Sequence, residues 1–106
     1  MSALDPAIHA PARLQLCAIL SAVDEAQFAT LRDELGVSDS VLSKHLAALS
    51  ELGYVRLRKE LLGKHRATWV SLTPVGRRAF NGHVAALRAL IDVADAAPAR
   101  EAPAAE

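Results

Sequence analysis

Residues 37–55 read VSDSVLSKHLAALSELGYV, and this stretch decides the fold. Ser38 is a favourable N-cap for a helix, and Asp39 puts an anion in the first turn, where the helix dipole favours it. Gly53 follows the end of the predicted helix, at about Leu52, as glycine commonly does just past a helix. One face of this helix is apolar and carries Leu42, Leu46 and Leu49.

A shorter helix is predicted immediately before this stretch. Phe28, Leu31 and Leu35 are spaced three and then four positions apart, which places them on one helix face. Gly36 ends this helix, so only residues 36–38 separate it from the next one. Two short helices joined by so tight a turn are typical of a helix-turn-helix.

A longer helix is predicted upstream, from Pro11 to about Val23. Proline suits the first turn of a helix, because its missing N–H would be unpaired there anyway. The segment from Leu4 to Ala10 is compatible with one further helical turn, which Pro11 ends. The apolar residues of the longer helix recur at helical spacing, and they are Leu14, Leu16, Cys17, Ile19, Leu20 and Val23.

Downstream of the helix-turn-helix, the apolar periodicity changes from that of a helix to that of a strand. Residues 54–58 alternate apolar side chains with Arg56 and Arg58, which predicts a half-buried strand with both arginines on its wet face. The glycine-containing residues 60–66 are predicted to form a hairpin loop. Residues 67–72 alternate again, and they predict a second strand antiparallel to the first.

A last helix is predicted over residues 73–97, because Thr73 and Pro74 supply an N-cap followed by proline at the first helical position. Residues 98–106 have little to bury and are predicted to be disordered. The domain therefore spans residues 1–97, and its predicted fold class is mainly α with a small two-stranded β-hairpin wing (α+β), a winged helix-turn-helix. The last helix carries a narrow, heptad-like seam of Phe80, Val84, Leu87, Ile91 and Ala94.

The chain of 106 residues has no net charge, but its charges are segregated along the sequence. Residues 1–39 have a balance of −4, residues 40–88 a balance of +7 and residues 89–106 a balance of −3. The central segment contains nine cationic side chains and two carboxylates. A segregated basic region is what a protein needs to bind phosphates, although a solvated basic face is an alternative interpretation.

The helix of residues 39–52 and the basic hairpin together predict a surface for duplex DNA. A major groove about 12 Å wide admits one α-helix, and a cationic loop can enter a minor groove or lie along phosphates. The outward residues of the helix are short or flexible, whereas its large apolar residues face the other way. The carboxylate of Asp39 could accept from a cytosine amino group or serve only the helix N-terminus. The candidate DNA-binding residues are Ser38, Asp39, Ser40, Ser43, Lys44, Arg56, Arg58, Lys64, His65 and Arg66.

Three segments resemble known families of regulators. Residues 37–55 resemble the recognition-helix signature of ArsR- and MarR-type winged-helix regulators, and residues 72–77 (LTPVGR) resemble the strand-to-helix junction of the MarR and PadR groups. Residues 9–14 (HAPARL) resemble the opening of short, stand-alone winged-helix regulators. The resemblance implies a dimer that binds a pseudo-palindromic operator, and it implies repression. Metal sensing through cysteine pairs is not carried over, because the chain has only Cys17.

Dimerisation is expected through the first long helix and the last helix. A last helix of this length extends beyond so small a core, so its distal apolar residues need a partner, which a second subunit would supply. His9 and His83 could also meet across such an interface and bind a metal ion. The candidate interface residues are Leu14, Cys17, Phe80, Val84, Leu87, Leu90 and Ile91.

The sequence argues against several classes of protein. One cysteine excludes an internal disulfide, and neither a signal peptide nor an apolar run of about 20 residues is present, so we expect a cytoplasmic protein without a membrane partner. The absence of a glycine-rich phosphate loop, a nucleophile–base pair and a metal-ligand cluster predicts no enzyme, no metal and no cofactor. A winged-helix adaptor that binds protein instead of DNA is the alternative function, and the sequence identifies no effector.

Overall fold

The structure is a computed structural model that describes residues 4–96, and within that range it contains five helices and three strands. The predicted boundary at residue 97 and the predicted tail of residues 98–106 lie outside the described residues. The elements are α1 (Pro6–His9), α2 (Pro11–Ser21), β1 (Ala26–Gln27), α3 (Phe28–Leu35), α4 (Asp39–Glu51), β2 (Val55–Leu62), β3 (His65–Leu72) and α5 (Pro74–Ala96).

The sheet has three antiparallel strands in the order β1-β3-β2, so the prediction of a two-stranded hairpin was incomplete. The additional strand, β1, consists of Ala26 and Gln27, which pair with Val70 and Trp69 of β3. A strand of two residues is too short to show alternation, and the sequence there suggested only a break between helices. The pairing ties the start of α3 to the sheet.

The hairpin is longer, and its turn tighter, than the sequence predicted. The ladder between β2 and β3 continues as far as the pair Leu62 and His65, so the predicted loop of residues 60–66 is wrong. Only Gly63 and Lys64 form the turn, and the φ angle of 64° at Gly63 is one that glycine adopts without strain. The consequence is a rigid two-stranded arm with cationic residues at its tip.

One core lies between the helices and one face of the sheet. Leu42, Leu46 and Leu49 of α4 are at most 2% exposed, which confirms the predicted apolar face. The other four helices and both long strands contribute the remaining members. The full core consists of Ile8, Leu16, Cys17, Leu20, Leu31, Leu42, Leu46, Leu49, Val55, Val70, Leu72 and Phe80.

The start of α5 is fixed against the residue that precedes β2. The Thr73 amide donates to the Tyr54 carbonyl at 2.9 Å, and the Thr73 hydroxyl accepts from the Gly76 amide at 2.9 Å. This confirms Thr73 as the N-cap. Gly76 is buried directly against the Tyr54 backbone, where a Cβ atom would collide with the carbonyl group. α5 is therefore locked to the base of the hairpin.

A polar cluster ties the N-terminal segment to the rest of the domain. The Asp5 amide donates to Nδ1 of His83 at 2.8 Å, and the Tyr54 hydroxyl donates to the Asp5 carboxylate at 2.6 Å. This hydrogen bond is the main reason that the pKa of Tyr54 rises to about 12. The rings of His9 and His83 lie 5.4 Å apart within one chain, so they do not need a dimer in order to meet.

The predicted dimer residues separate into buried and exposed groups. Cys17 is fully buried and Phe80 is 9% exposed, so both pack inside the core of the single chain. Burial raises the pKa of the Cys17 thiol to about 11, and the charge of Asp5 acts in the same direction. Leu14, Val84 and Leu87 are half-buried, whereas Leu90 and Ile91 are exposed on the distal part of α5. Among residues 4–96, none of the helices combines the length and apolarity needed to cross a membrane.

Candidate nucleic-acid interface

The outer face of α4 carries small hydroxyl side chains and one lysine, and it also exposes Val41, an apolar residue that the sequence did not place there. Ser40, Ser43 and Lys44 are all exposed, as the sequence predicted from their positions relative to the buried leucines. Short side chains let the helix backbone approach a groove closely, and hydroxyl and ammonium groups can bond to base edges or phosphates. This face therefore has the shape and the chemistry of a helix that enters DNA.

The turn before α4 is held by backbone hydrogen bonds and by one side-chain cap. Gly36 adopts a left-handed φ of 65°, and the next amide, that of Val37, donates to the Arg32 carbonyl at 3.3 Å. The Ser38 hydroxyl then accepts from the Val41 amide at 3.2 Å, which confirms Ser38 as the N-cap. Both local signals in the sequence are realised, and they fix where the helix begins.

Asp39 is exposed at the first position of α4, and it is not isolated. Nη1 of Arg32, in the last turn of α3, donates to the Asp39 carboxylate at 3.0 Å. Nε of the same guanidinium donates to Asp33 at 3.1 Å. Hydrogen bonds to Asp39 and then to Asp33 raise the pKa of Arg32, so it stays a cation. Arg32 was not among the residues that the sequence predicted for the site.

The two faces of the hairpin carry different side chains. Directly paired residues of the two strands lie on the same face of the hairpin. The face that begins with the buried Val55 continues with two pairs, Lys59–Thr68 and Leu61–Arg66. The opposite face carries Arg56, Arg58 and Trp69 in alternation with these positions. The five predicted residues on the hairpin therefore do not form one continuous surface, although all ten predicted residues are exposed.

Arg58 is engaged within the protein itself. Its Nε and Nη2 atoms form a two-point contact with the Glu25 carboxylate, at 3.0 and 2.8 Å. Its guanidinium also lies 5.8 Å from the centre of the Trp69 ring, and the indole N–H donates to Glu60 at 2.9 Å. The hydrogen bond from Arg58 lowers the pKa of Glu25. This side chain links the residue before β1 to β2, across the outer face of β3.

Lys64, His65 and Arg66 lie at the hairpin tip, and all three are exposed. Lys59 is exposed on the same face as Arg66, and it was missed because the sequence prediction ended the strand at residue 58. An open depression of about 290 Å³ lies beside this part of the hairpin, and Lys59 and Arg66 are among the residues that line it. A longer predicted strand would have placed Lys59 in the site.

His45 of α4 is half-buried and contacts Arg13 of the first long helix. Its Nδ1 accepts from Nε of Arg13 at 3.1 Å. Burial lowers the pKa of His45, and the positive charge of Arg13 adds to that effect. The contact holds α4 against α2 and leaves the opposite side of α4 free for a ligand. Among residues 4–96, no three metal-ligating side chains come together.

Comparison with known proteins supports the interpretation of this geometry. Residues 12–91 match the model of a family described as winged helix DNA-binding domain, which confirms the predicted fold and the resemblance to winged-helix regulators. An uncharacterised protein of Methanocaldococcus jannaschii is 29% identical over 72 residues, which cover 68% of this chain and 78% of that protein.

Several solved structures have the same fold. A transcriptional regulator homologue from Pyrococcus horikoshii superposes with a TM-score of 0.78 and 25% identity, covering 84% of this chain and 88% of that chain. A MarR-family regulator from Silicibacter pomeroyi is 33% identical, with a TM-score of 0.61 over 84% of this chain and 60% of that chain. The Mycobacterium tuberculosis regulator MosR, solved in complex with DNA, is 20% identical with a TM-score of 0.67, covering 87% of this chain and 66% of that chain.

Proposed function

Because the chain belongs to the winged helix DNA-binding domain family, a family of DNA-binding regulators and not of enzymes, we propose that it is a sequence-specific transcriptional repressor. It binds a pseudo-palindromic operator as a homodimer, in the cytoplasm and without a cofactor. The observation that carries this proposal is the exposure of Ser40, Ser43 and Lys44 on a helix whose other side is buried.

α4 is the element that reads bases. Its N-terminal half carries the exposed hydroxyl and ammonium groups, and its backbone is fixed at the start by the Ser38 cap. Recognition helices contact base edges mainly through residues near their N-termini, and hydroxyl groups can donate to or accept from any of the four bases. Lys44 lies one turn further along and is long enough to reach a guanine or a phosphate.

The hairpin supplies the second contact. Lys64 and Arg66 at the tip bind the DNA backbone or enter the minor groove, and Lys59 extends this cationic surface towards the core. Arg58 contributes less to phosphate binding than the sequence suggested, because its guanidinium already contacts Glu25 and Glu60. Arg56 is exposed on the same outer face as Arg58.

The operator is read twice because two chains pair. The distal part of α5 exposes Leu90, Ile91 and Val93, each more than half accessible. Burial of these side chains against a second copy would bring two α4 helices into one dimer. Dimeric regulators of this kind bind half-sites separated by about 34–36 Å, one turn of DNA. The expected operator therefore has two similar half-sites at that spacing.

A binding titration at several salt concentrations tests the proposal. Fluorescence anisotropy is measured with a labelled duplex selected by the protein from a random pool, and with a scrambled duplex of the same length. A dimer that neutralises 6–10 phosphates should lose roughly 10³–10⁵-fold in affinity between 50 and 200 mM salt. Affinity for the selected duplex should exceed that for the scrambled one by at least roughly 10³-fold.

Two charge-reversal variants provide the control. Arg66→Glu and Arg78→Glu change the net charge equally, but Arg66 lies at the hairpin tip and Arg78 lies on α5. Arg66→Glu should abolish binding to the selected duplex, whereas Arg78→Glu should reduce it only slightly. Equal losses from both variants, or salt-insensitive binding by the wild type, would contradict the proposal. A reporter fused to a promoter that contains the selected sequence should be less active in the presence of the protein.

A further inference from the structure

The acidic side chain at the tip of α4 is a difficulty for a DNA-binding helix. Asp39 is the first residue of α4, and its side chain is 69% exposed. A carboxylate at that place stabilises the helix, because it lies near the positive end of the helix dipole. The same carboxylate repels the phosphates that flank a groove. A nearby cation is needed if the tip is to approach DNA closely.

Arg32 supplies that cation from the preceding helix. Its Nη1 donates to Asp39 at 3.0 Å, and its Nε donates to Asp33 at 3.1 Å. A guanidinium has five N–H donors in a planar, fixed arrangement. Two of its three nitrogens are engaged here, and within residues 4–96 no hydrogen bond from Nη2 to another protein atom is formed. Two carboxylates therefore orient this arginine while a donor nitrogen stays available.

The backbone of Arg32 is fixed as well. Its carbonyl accepts from the amides of Gly36 and Val37, at 2.9 and 3.3 Å, in the turn that joins the two helices. The same residue thus closes the turn with its backbone and reaches α4 with its side chain. The backbone of Arg32 is thus anchored in the turn, and the two carboxylates hold its guanidinium beside the tip of α4.

We propose that Arg32 is a further residue of the DNA interface. It offsets one of the two negative charges of Asp39 and Asp33, and it donates from its remaining N–H groups to a backbone phosphate beside the groove that α4 enters. This inference rests on the proposed function and deepens it, because it assigns a phosphate contact to α3, outside the hairpin and the recognition helix. Asp39 and Asp33 act as positioning residues for the guanidinium.

A purely structural role for the pair predicts something different. An exposed ion pair contributes little to the stability of a folded protein, and Arg32 and Asp39 are 36% and 69% exposed. A structural pair would change the melting temperature slightly and leave the salt dependence of DNA binding as it was. A phosphate contact changes the salt dependence, because each neutralised phosphate contributes about 0.9 to the slope of log K against log salt concentration.

The test measures affinity and salt slope for three single-site variants, on the selected duplex and on the scrambled duplex of equal length. Arg32→Ala should weaken binding to both duplexes by about tenfold or more. It should also reduce the salt slope by about two, since a dimer loses two contacts. Arg32→Lys keeps the charge and should recover part of the loss. Arg78→Ala removes an exposed arginine from α5 and should leave the slope unchanged.

The contribution of Asp39 is isolated by combining substitutions. Asp39→Asn is made both in the wild type and in the Arg32→Ala variant, and affinity for the scrambled duplex is measured. The gain in affinity should be larger in the Arg32→Ala variant, because in that variant the Asp39 carboxylate has lost its cationic partner. The inference would be overturned if Arg32→Ala kept the salt slope of the wild type and lost no more affinity than Arg78→Ala. If the folded wild type binds neither duplex, the proposed function itself fails. If the wild type binds and Arg66→Glu abolishes binding while Arg32→Ala has no effect, only this inference fails.

Discussion

Gly76 shows how a single missing side chain fixes the position of a helix. It lies in the first turn of α5, where a Cβ atom would overlap the Tyr54 carbonyl group. Backbone cannot move aside as the end of a flexible side chain can. The close approach also supports the hydrogen bond from the Thr73 amide to that carbonyl. The sequence contained this glycine within an otherwise helical segment, but only the tertiary contact explains it.

Gly76→Ala should therefore destabilise the domain by about 1–3 kcal/mol, the cost of forcing extra volume into a packed site. Gly82→Ala is the matched control, because Gly82 lies on the same helix and a Cβ atom there would meet nothing within 4 Å. Since alanine is a better helix former, Gly82→Ala should stabilise the domain by up to about 1 kcal/mol. Urea denaturation measures both changes, and the prediction is wrong if the two variants shift the free energy of unfolding in the same direction.

His83 is a buried titratable group whose neutral form is needed in the folded state. Its ring is 1% exposed, and Nδ1 accepts the Asp5 amide, so a neutral ring carries its proton on Nε2. Nε2 has no hydrogen-bond partner among the described residues. Burial lowers the pKa of His83, the nearby His9 lowers it further, and Asp5 acts in the opposite direction. Protonation of Nδ1 would place two donors face to face and release the N-terminal segment.

The free energy of unfolding should therefore fall as the pH drops below about 6.5, the pKa of histidine in an unfolded chain. Below that pH the unfolded chain binds more protons than the folded one. The contribution of His83 to the free energy of unfolding is therefore complete above about pH 6.5 and is lost as the pH falls towards the lower pKa of the folded state. His45 has a lowered pKa and acts in the same direction. Melting temperatures between pH 7.5 and pH 5 measure the effect.

His83→Asn removes the titration while its Oδ1 can still accept the Asp5 amide, so it should flatten the pH dependence of the melting temperature. His65→Gln changes an exposed histidine and should leave that dependence intact. A full wild-type pH dependence in His83→Asn would show that another group is responsible.

At the scale of elements, local signals in the sequence were enough for the helices. The local signals are Gly36, Ser38 and Thr73, and each acts on its own neighbours along the chain. The end of α3, the start of α4 and the start of α5 could therefore be predicted. β1 could not be predicted, because a strand of two residues is defined by its partners, Val70 and Trp69, more than 40 positions away. The hairpin ladder was underestimated for a different reason: the residues that extend it, 59–62 and 65–66, pair with near neighbours but do not alternate apolar and polar side chains.

The candidate site shows the same division. The exposure of the polar face of α4 follows from the periodicity of its leucines, and it was predictable. The role of Arg58 was not, because Glu25 is 33 positions earlier in the sequence. Arg32 was missed although Asp39 is only seven positions away, because their contact depends on the angle between α3 and α4. Pairs that cross a turn are visible only when the elements are assembled.

The contact between Glu25 and Arg58 should set the position of the hairpin relative to α3 and α4. Glu25→Ala removes both hydrogen bonds to the guanidinium, so the hairpin should become less ordered and affinity for the selected duplex should fall. The loss should be larger than for Asp24→Ala, which removes the same charge from the exposed neighbouring residue. The melting temperature and anisotropy measure the two effects, and equal losses of affinity from both variants would contradict a positioning role.

The whole molecule has more apolar surface on α5 than a single chain can cover. Ala86 is the last buried residue of α5, and the remaining ten residues to Ala96 extend the helix by about 15 Å. Leu90, Ile91 and Val93 on this extension are 56%, 57% and 68% exposed. Isolated apolar residues on a surface are common, but three within four positions on a projecting helix favour an interface. A second copy of the chain is the partner that the proposed twofold operator would also require.

Ile91→Glu should therefore convert the dimer into a monomer, because a carboxylate buried in an apolar interface without a partner is strongly unfavourable. Sedimentation should give the wild type about twice the chain mass of 11.3 kDa and the variant that mass alone. Ala85→Glu introduces the same charge at an exposed position of α5 that is at least about 80° around the helix from Leu90, Ile91 and Val93, and it should remain dimeric. The monomeric variant should lose affinity for the selected duplex far more than for the scrambled one, because only the paired half-sites depend on the dimer.

A wild type that sediments as a single chain at all concentrations would contradict both the interface and the twofold operator. The binding of one α4 helix to one half-site would still stand, since it depends only on residues within a single chain.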